Sequence, residues 1–138
     1  MTVTEREETI HCESYTLVER VEERGYNSLL FANTAMAGTV TLGRMNAFAF
    51  QYAQLSRFQE VYFFTRLLVH KPFRDKKLGS FLLEKAIEHA RAEEMPIVNS
   101  VNPYGDLTLE ELSAFYERHG FVQQEDGGLL WVPKHTRK

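Results

Sequence analysis

From Val61 to Val69 the chain reads VYFFTRLLV, a nearly unbroken apolar and aromatic run that suits a strand buried on both faces. Pro72 ends it. The period then changes. Leu78, Leu82, Leu83, Ala86, Ile87 and Ala90 recur at helical spacing while Glu84, Lys85, Glu88, Arg91 and Glu93 fill the other side, which predicts an amphipathic helix over 78–95 of about four to five turns. Pro96 stops that helix, and Ile97 to Val101 reads as a short buried strand. Strand, helix and strand at this spacing make a βαβ unit with parallel strands. After a turn at Asn102-Pro103-Tyr104-Gly105-Asp106, Thr108 and Glu111 form a capping box for a helix striped by Leu109, Leu112, Phe115 and Tyr116, closed by Gly120. Phe121-Val122 and Leu129 to Val132 flank Glu-Asp-Gly-Gly, a hairpin signal.

The first half carries a weaker pattern. Ser14 to Arg24 ends at Gly25 with Leu17, Val18 and Val21 at helical spacing, and a short helix is favoured there, although Tyr15, Leu17 and Val21 could also line a strand face. Ser28 to Asn33 and Gly38 to Met45 read as a hairpin of two strands. Asn46 to Gln59, with Phe48, Phe50 and Tyr52, is open between strand extension and loop. The predicted fold is α/β: one mixed, mostly antiparallel sheet of six or seven strands, with a parallel pair at its centre and helices on its flanks.

At 138 residues the chain has the size of a single domain, and 43% hydrophobic residues are enough for a core without disulfides or a structural metal. The only cysteine, Cys12, has no partner for an internal bridge, so a reducing cytoplasm is expected and Cys12 reads as a small core residue. The polar start MTVTEREETIHCE shows no secretory pattern, and no apolar run is long enough for a membrane span. A net charge of −3 argues against a nucleic-acid footprint. The charge is uneven, however. Residues 1–24 hold seven acids against three bases, while Lys71, Arg74, Lys76 and Lys77 crowd around Asp75.

That basic cluster lies in HKPFRDKKLGS, the loop joining the buried strand to the start of a helix, where backbone N–H groups and the positive dipole end make an anion site. A pyrophosphate-bearing ligand is the sharp reading of these residues. Strand-to-helix loops are equally often basic for solubility alone. His11, His70, His89, His119 and His135 have neither metal-ligand nor triad spacing, and no metal is expected.

The segment LLVHKPFRDKKLGSFLLEKA resembles the acetyl-CoA signature of the Gcn5-related N-acetyltransferases (GNAT), in which Arg/Gln-x-x-Gly-x-Gly/Ala follows a Leu-x-Val strand end. Val69 to Arg74 keeps the spacing, Gly79 falls on the second glycine-type position, and Ser80 opens the helix. SAFYERHGF, from Ser113 to Phe121, is similar to a later helix of that family, and FANTAMAGTVTL to its second and third strands. The likeness covers about residues 28–133, with 1–27 a shortened N-terminal region and 134–138 a basic tail of the same domain.

The resemblance implies that the parallel strands splay, and that the pantetheine arm of acetyl-CoA bonds to backbone near Leu67, Leu68 and Val69. The pyrophosphate of the coenzyme A moiety would rest on Arg74, Asp75, Lys76, Lys77, Leu78, Gly79 and Ser80. Tyr116 would protonate the departing thiolate, and Glu60 could serve as a base through a water. Lys77 replaces the family's first glycine, which implies an ordinary helical or turn conformation at that residue. Leu109 stands where many relatives carry Asn, a contact Asn102 could replace. The acceptor would be a primary amine on a protein or on a small cation, drawn by Glu13, Glu19, Glu22 and Glu23 to an open site left by the short N-terminal region. A homodimer is compatible with this reading. The alternative is a non-catalytic module that keeps the fold for structural or protein-binding work.

Overall fold

The computed structural model describes residues 6–12, 14–73, 77–100 and 108–133. In chain order the elements are β1 (Arg6–Cys12), β2 (Tyr15–Glu22), β3 (Gly25–Ala32), β4 (Ala35–Asn46), β5 (Glu60–Val69), α1 (Leu78–Glu93), β6 (Ile97–Asn99), α2 (Leu109–Arg118), β7 (Val122–Gln123) and β8 (Leu129–Trp131). The eight strands form one sheet in the order β1-β2-β3-β4-β5-β6-β8-β7. β5 and β6 run parallel, with Tyr62 opposite Ile97 and Phe63 opposite Val98, and antiparallel ladders lie on either side. This is the mixed α/β sheet that the βαβ pattern and the terminal hairpin predict.

The helix favoured over Ser14–Arg24 is a strand instead. β2 is paired with β3 along its whole length and with β1 over Tyr15–Val21, which raises the strand count among the described residues to eight. Thr16, Val18 and Val21 are β-branched and sit well on a pleated surface. The residues β2 buries are Leu17, Glu19 and Val21, a period of two disguised by a carboxylate on the inner face. The segment 46–59, undecided from sequence, is loop: it makes two single 3₁₀ turns, Ala47–Ala49 and Ala53–Leu55. The Asn46 carboxamide caps the first by accepting from the Phe48 N–H at 2.8 Å.

By contacts the chain divides into two compact units, one built on residues up to Arg44 with Thr65–His89, the other on Met45–Phe64 with residues from Ala90 onward. In the first, β2, β3 and β4 form a meander with two-residue turns at Glu23-Arg24 and Asn33-Thr34, the second made possible by φ 58° at Asn33. Leu17, Tyr26, Leu30, Val40, Leu82, Leu83 and Ala86 are buried in it. Gly38 allows β4 to lie close: a Cβ there would stand 2.8 Å from the Leu68 carbonyl oxygen and 3.0 Å from Leu82 Cδ1. The His70 N–H donates to the Ala37 carbonyl at 2.8 Å, fixing the end of β5.

In the second unit Ala47, Leu55, Val61, Val98 and Leu130 form a core completed by Phe50, Tyr52, Phe58, Phe63 and Val132. α2 starts with the capping box predicted for it: Glu111 N–H donates to Thr108 Oγ1 at 3.1 Å, and Thr108 N–H to Glu111 Oε1 at 2.8 Å. It ends at Gly120, whose φ of 101° suits glycine, and the Phe121 N–H bonds back to the Tyr116 carbonyl at 3.3 Å.

Candidate active site

The loop after β5 leads through a 3₁₀ turn at Lys71–Phe73 to Lys77, directly before α1. Lys77 is exposed and takes φ 62°, the left-handed region. This corrects the ordinary conformation expected of a lysine there. A non-glycine residue in this region carries roughly 1–2 kcal/mol of strain. The Lys77 carbonyl accepts from the Phe81 N–H at 3.1 Å, so it opens the helical ladder. A left-handed residue followed by helical ones turns successive N–H groups toward one point, a concavity that suits anions, and the first-turn amides of α1, at Leu78, Gly79 and Ser80, have no carbonyl ahead of them within the helix. Leu78 is buried while Gly79 and Ser80 are half-buried. Arg74, Asp75 and Lys76 lie outside the described residues.

Upstream of the loop, Leu67 is buried, and Leu68 and Val69 are half-buried. Their backbone is set by the close approach of β4 at Gly38. Among the described residues, these and the α1 start are compatible with a phosphate-bearing acyl carrier held by backbone groups, with the exposed Lys77 beside them.

Within the second unit Tyr116 is buried at 4% exposure in an edge-to-face cluster with Phe64 at 5.4 Å, Phe115 at 5.2 Å and Phe121 at 5.6 Å. The ring is therefore fixed on three sides. Glu60 is exposed at the first position of β5. Leu109, which stands in the place of a family asparagine, is 49% exposed at the first residue of α2. Asn102 lies outside the described residues.

Three polar groupings escaped the sequence reading. Glu19 is buried and accepts a hydrogen bond from the Tyr26 hydroxyl at 2.6 Å, Ser28 Oγ donates to that same hydroxyl, and His89 stacks on the Tyr26 ring at 4.5 Å. Glu19 is thus a core residue and not part of an acidic lure; Glu22 and Glu23 are exposed, and Glu13 is outside the described residues. The Tyr52 hydroxyl donates to Asp126 at 2.9 Å, and burial followed by that carboxylate pushes its pKa up to about 12. Asp126 is held below its usual range by the Gly128 N–H and then by Tyr52. Third, Asn99 on β6 is 3% exposed, and its Nδ2 has no hydrogen-bond partner among the described residues. An Asn closing the apolar run Ile97-Val98 was the available signal. No group of three or more His, Cys, Asp or Glu among the described residues could hold a metal, and no described helix is long and apolar enough to cross a membrane.

Residues 21–123 match the acetyltransferase (GNAT) domain family. The chain therefore belongs to that family of N-acetyltransferases. Solved structures agree on the fold. Arabidopsis thaliana NAA60 in complex with a bisubstrate analogue superposes with a TM-score of 0.62 at 13% identity, over 79% of this chain and 74% of that one. The ribosomal-protein-S18-alanine N-acetyltransferase from Escherichia coli gives 0.61 at 16% identity, over 86% and 75%. The Bacillus subtilis N-acetyltransferase YlbP in complex with coenzyme A gives 0.55 at 17% identity, over 78% and 67%. No curated protein sequence matches this chain.

Proposed function

We propose that this chain is an acetyl-CoA-dependent N-acetyltransferase acting on a primary amine. The observation that carries the reading is Lys77 at φ 62°, immediately before α1. The sequence has lost the family's glycine there, yet the backbone keeps a glycine's conformation, which a loop basic only for solubility has no reason to hold. When bound, the thioester supplies the acyl group for the amine to take. The amides of Lys77, Leu78, Gly79 and Ser80 would hold the pyrophosphate, the Lys77 ammonium adding charge, with backbone near Leu67, Leu68 and Val69 holding the pantetheine arm. Tyr116, fixed by its three aromatic neighbours, would give its proton to the departing thiolate, and Glu60, through a water, would take the proton the amine loses. The setting that a lone cysteine favours is the cytoplasm.

For the acceptor, the shortened N-terminal region forms the β1–β2 hairpin and has no helix among its described residues. That supports an open site and an extended acceptor, such as a lysine or terminal amine on a protein, and the exposed Glu22 and Glu23 favour a cation. The test is thiol release from acetyl-CoA over proteins, peptides, polyamines and aminoglycosides. Turnover on protein or peptide amines, weakened by salt, is the expected result; strong preference for one compact amine regardless of salt refutes the open site, and turnover with none of them refutes the enzyme. Tyr116→Phe should lower kcat roughly 100-fold while leaving acetyl-CoA affinity within about twofold. An unchanged kcat would remove Tyr116 from the chemistry.

A further inference from the structure

Side chains alternate along β6, and the parallel register sets Ile97 opposite Tyr62, so Asn99 and Phe64, two residues on, share that same face. Phe64 packs on Tyr116. On the antiparallel side Asn99 pairs with Leu129 and Ile97 with Trp131. Tyr62, Phe64, Ile97, Leu129 and Trp131 are all buried. A carboxamide among such neighbours, with Nδ2 unpartnered among the described residues, is a poor choice for stability, because a desolvated donor is penalised and an apolar residue of the same shape is not. It also sits at the carboxyl end of β6, the parallel neighbour of β5, and the carboxyl ends of parallel strands are where α/β sheets place ligands.

Resting on the acetyltransferase reading, we infer that Asn99 is a specificity residue for the acyl group: Nδ2 donates a hydrogen bond to the carbonyl oxygen of the bound acyl thioester. The partner class is a carbonyl acceptor. Acetyl-CoA offers one at the thioester, whereas in the products the thiol has lost it to the acylated amine, so Asn99 favours acetyl-CoA over free coenzyme A in the same site. Its role is distinct from the one proposed for Tyr116, that of a proton donor to the departing sulfur.

Calorimetric binding of acetyl-CoA and of free coenzyme A, with melting of the unliganded chain, tests this. The wild-type chain should bind acetyl-CoA about five- to tenfold tighter than coenzyme A, a ratio of the size one hydrogen bond provides. Asn99→Leu should bring that ratio close to one while melting at the same or a higher temperature. Should that variant misfold, Asn99→Val, which has no donor and suits a strand, must lose the ratio too. A ratio unchanged in the variants overturns the proposal. So does equal weakening of both ligands, which would place Nδ2 on a carbonyl of the pantetheine arm, or a Leu variant that folds but melts lower, which would make Asn99 structural. In those cases acetyl-CoA binding by the wild type leaves the acetyltransferase reading standing; a wild type that binds neither ligand overturns both.

Discussion

At the scale of residues, Lys77 departs most from expectation. Its position relative to Leu-x-Val and to the helix was legible in sequence, but its conformation was not, because a left-handed backbone at a lysine is imposed by the surrounding chain against the residue's own preference. Lys77→Gly relieves that strain and should raise unfolding stability by roughly 0.5–1 kcal/mol, the relief exceeding the added freedom of the unfolded glycine. Urea titration checks it, and a loss of stability would mean that the lysine side chain contributes more to the fold than its backbone costs. Tyr52 offers an independent test. Its pKa is raised to about 12 from 10.0, so neutral Tyr52 favours the folded state below pH 10, and that contribution is lost as pH climbs through about 12. Ultraviolet titration should show Tyr52 ionising late, and Asp126→Asn should shift one late-ionising tyrosine to lower pH. Coincident ionisation in both proteins would show the pair to be absent in solution.

At the scale of elements, the second half was the more readable because each element there is bounded by its own chemistry. Pro96, the Thr108–Glu111 box and Gly120 each mark a boundary that local physics enforces. β2 had no such marker. Its inner face carries Leu17, Glu19 and Val21, and the Glu19 carboxylate is made tolerable by a hydroxyl on β3, a partner that no reading of residues 14–24 contains. Nonlocal satisfaction of one buried acid thus hid the period of two that marks β2 as a strand. Close strand approach is testable at Gly38, where a Cβ would press on the Leu68 carbonyl. Gly38→Val should cost about 1–3 kcal/mol and, by shifting Leu68 and Val69, weaken acetyl-CoA binding at least several-fold. Binding at full strength by a folded variant would separate the cofactor site from that backbone.

At the scale of the whole molecule, family membership was legible in three short motifs that occur in the right order, and the domain match over residues 21–123 agrees with them. The site was legible only in part. Backbone cradles leave spacing in a sequence, since glycines and helix starts are local, whereas the buried Asn99 reads as one polar residue in a strand until its neighbours across β5 and β8 are known to be apolar. The account as a whole stands on this chain binding acetyl-CoA, and thermal melting of the full chain across a range of acetyl-CoA concentrations tests that most directly. It predicts a midpoint that rises with ligand, equivalent to about 2.7 kcal/mol at 100 times the dissociation constant. A midpoint that stays fixed up to millimolar acetyl-CoA would contradict it and leave the fold as a scaffold without the cofactor.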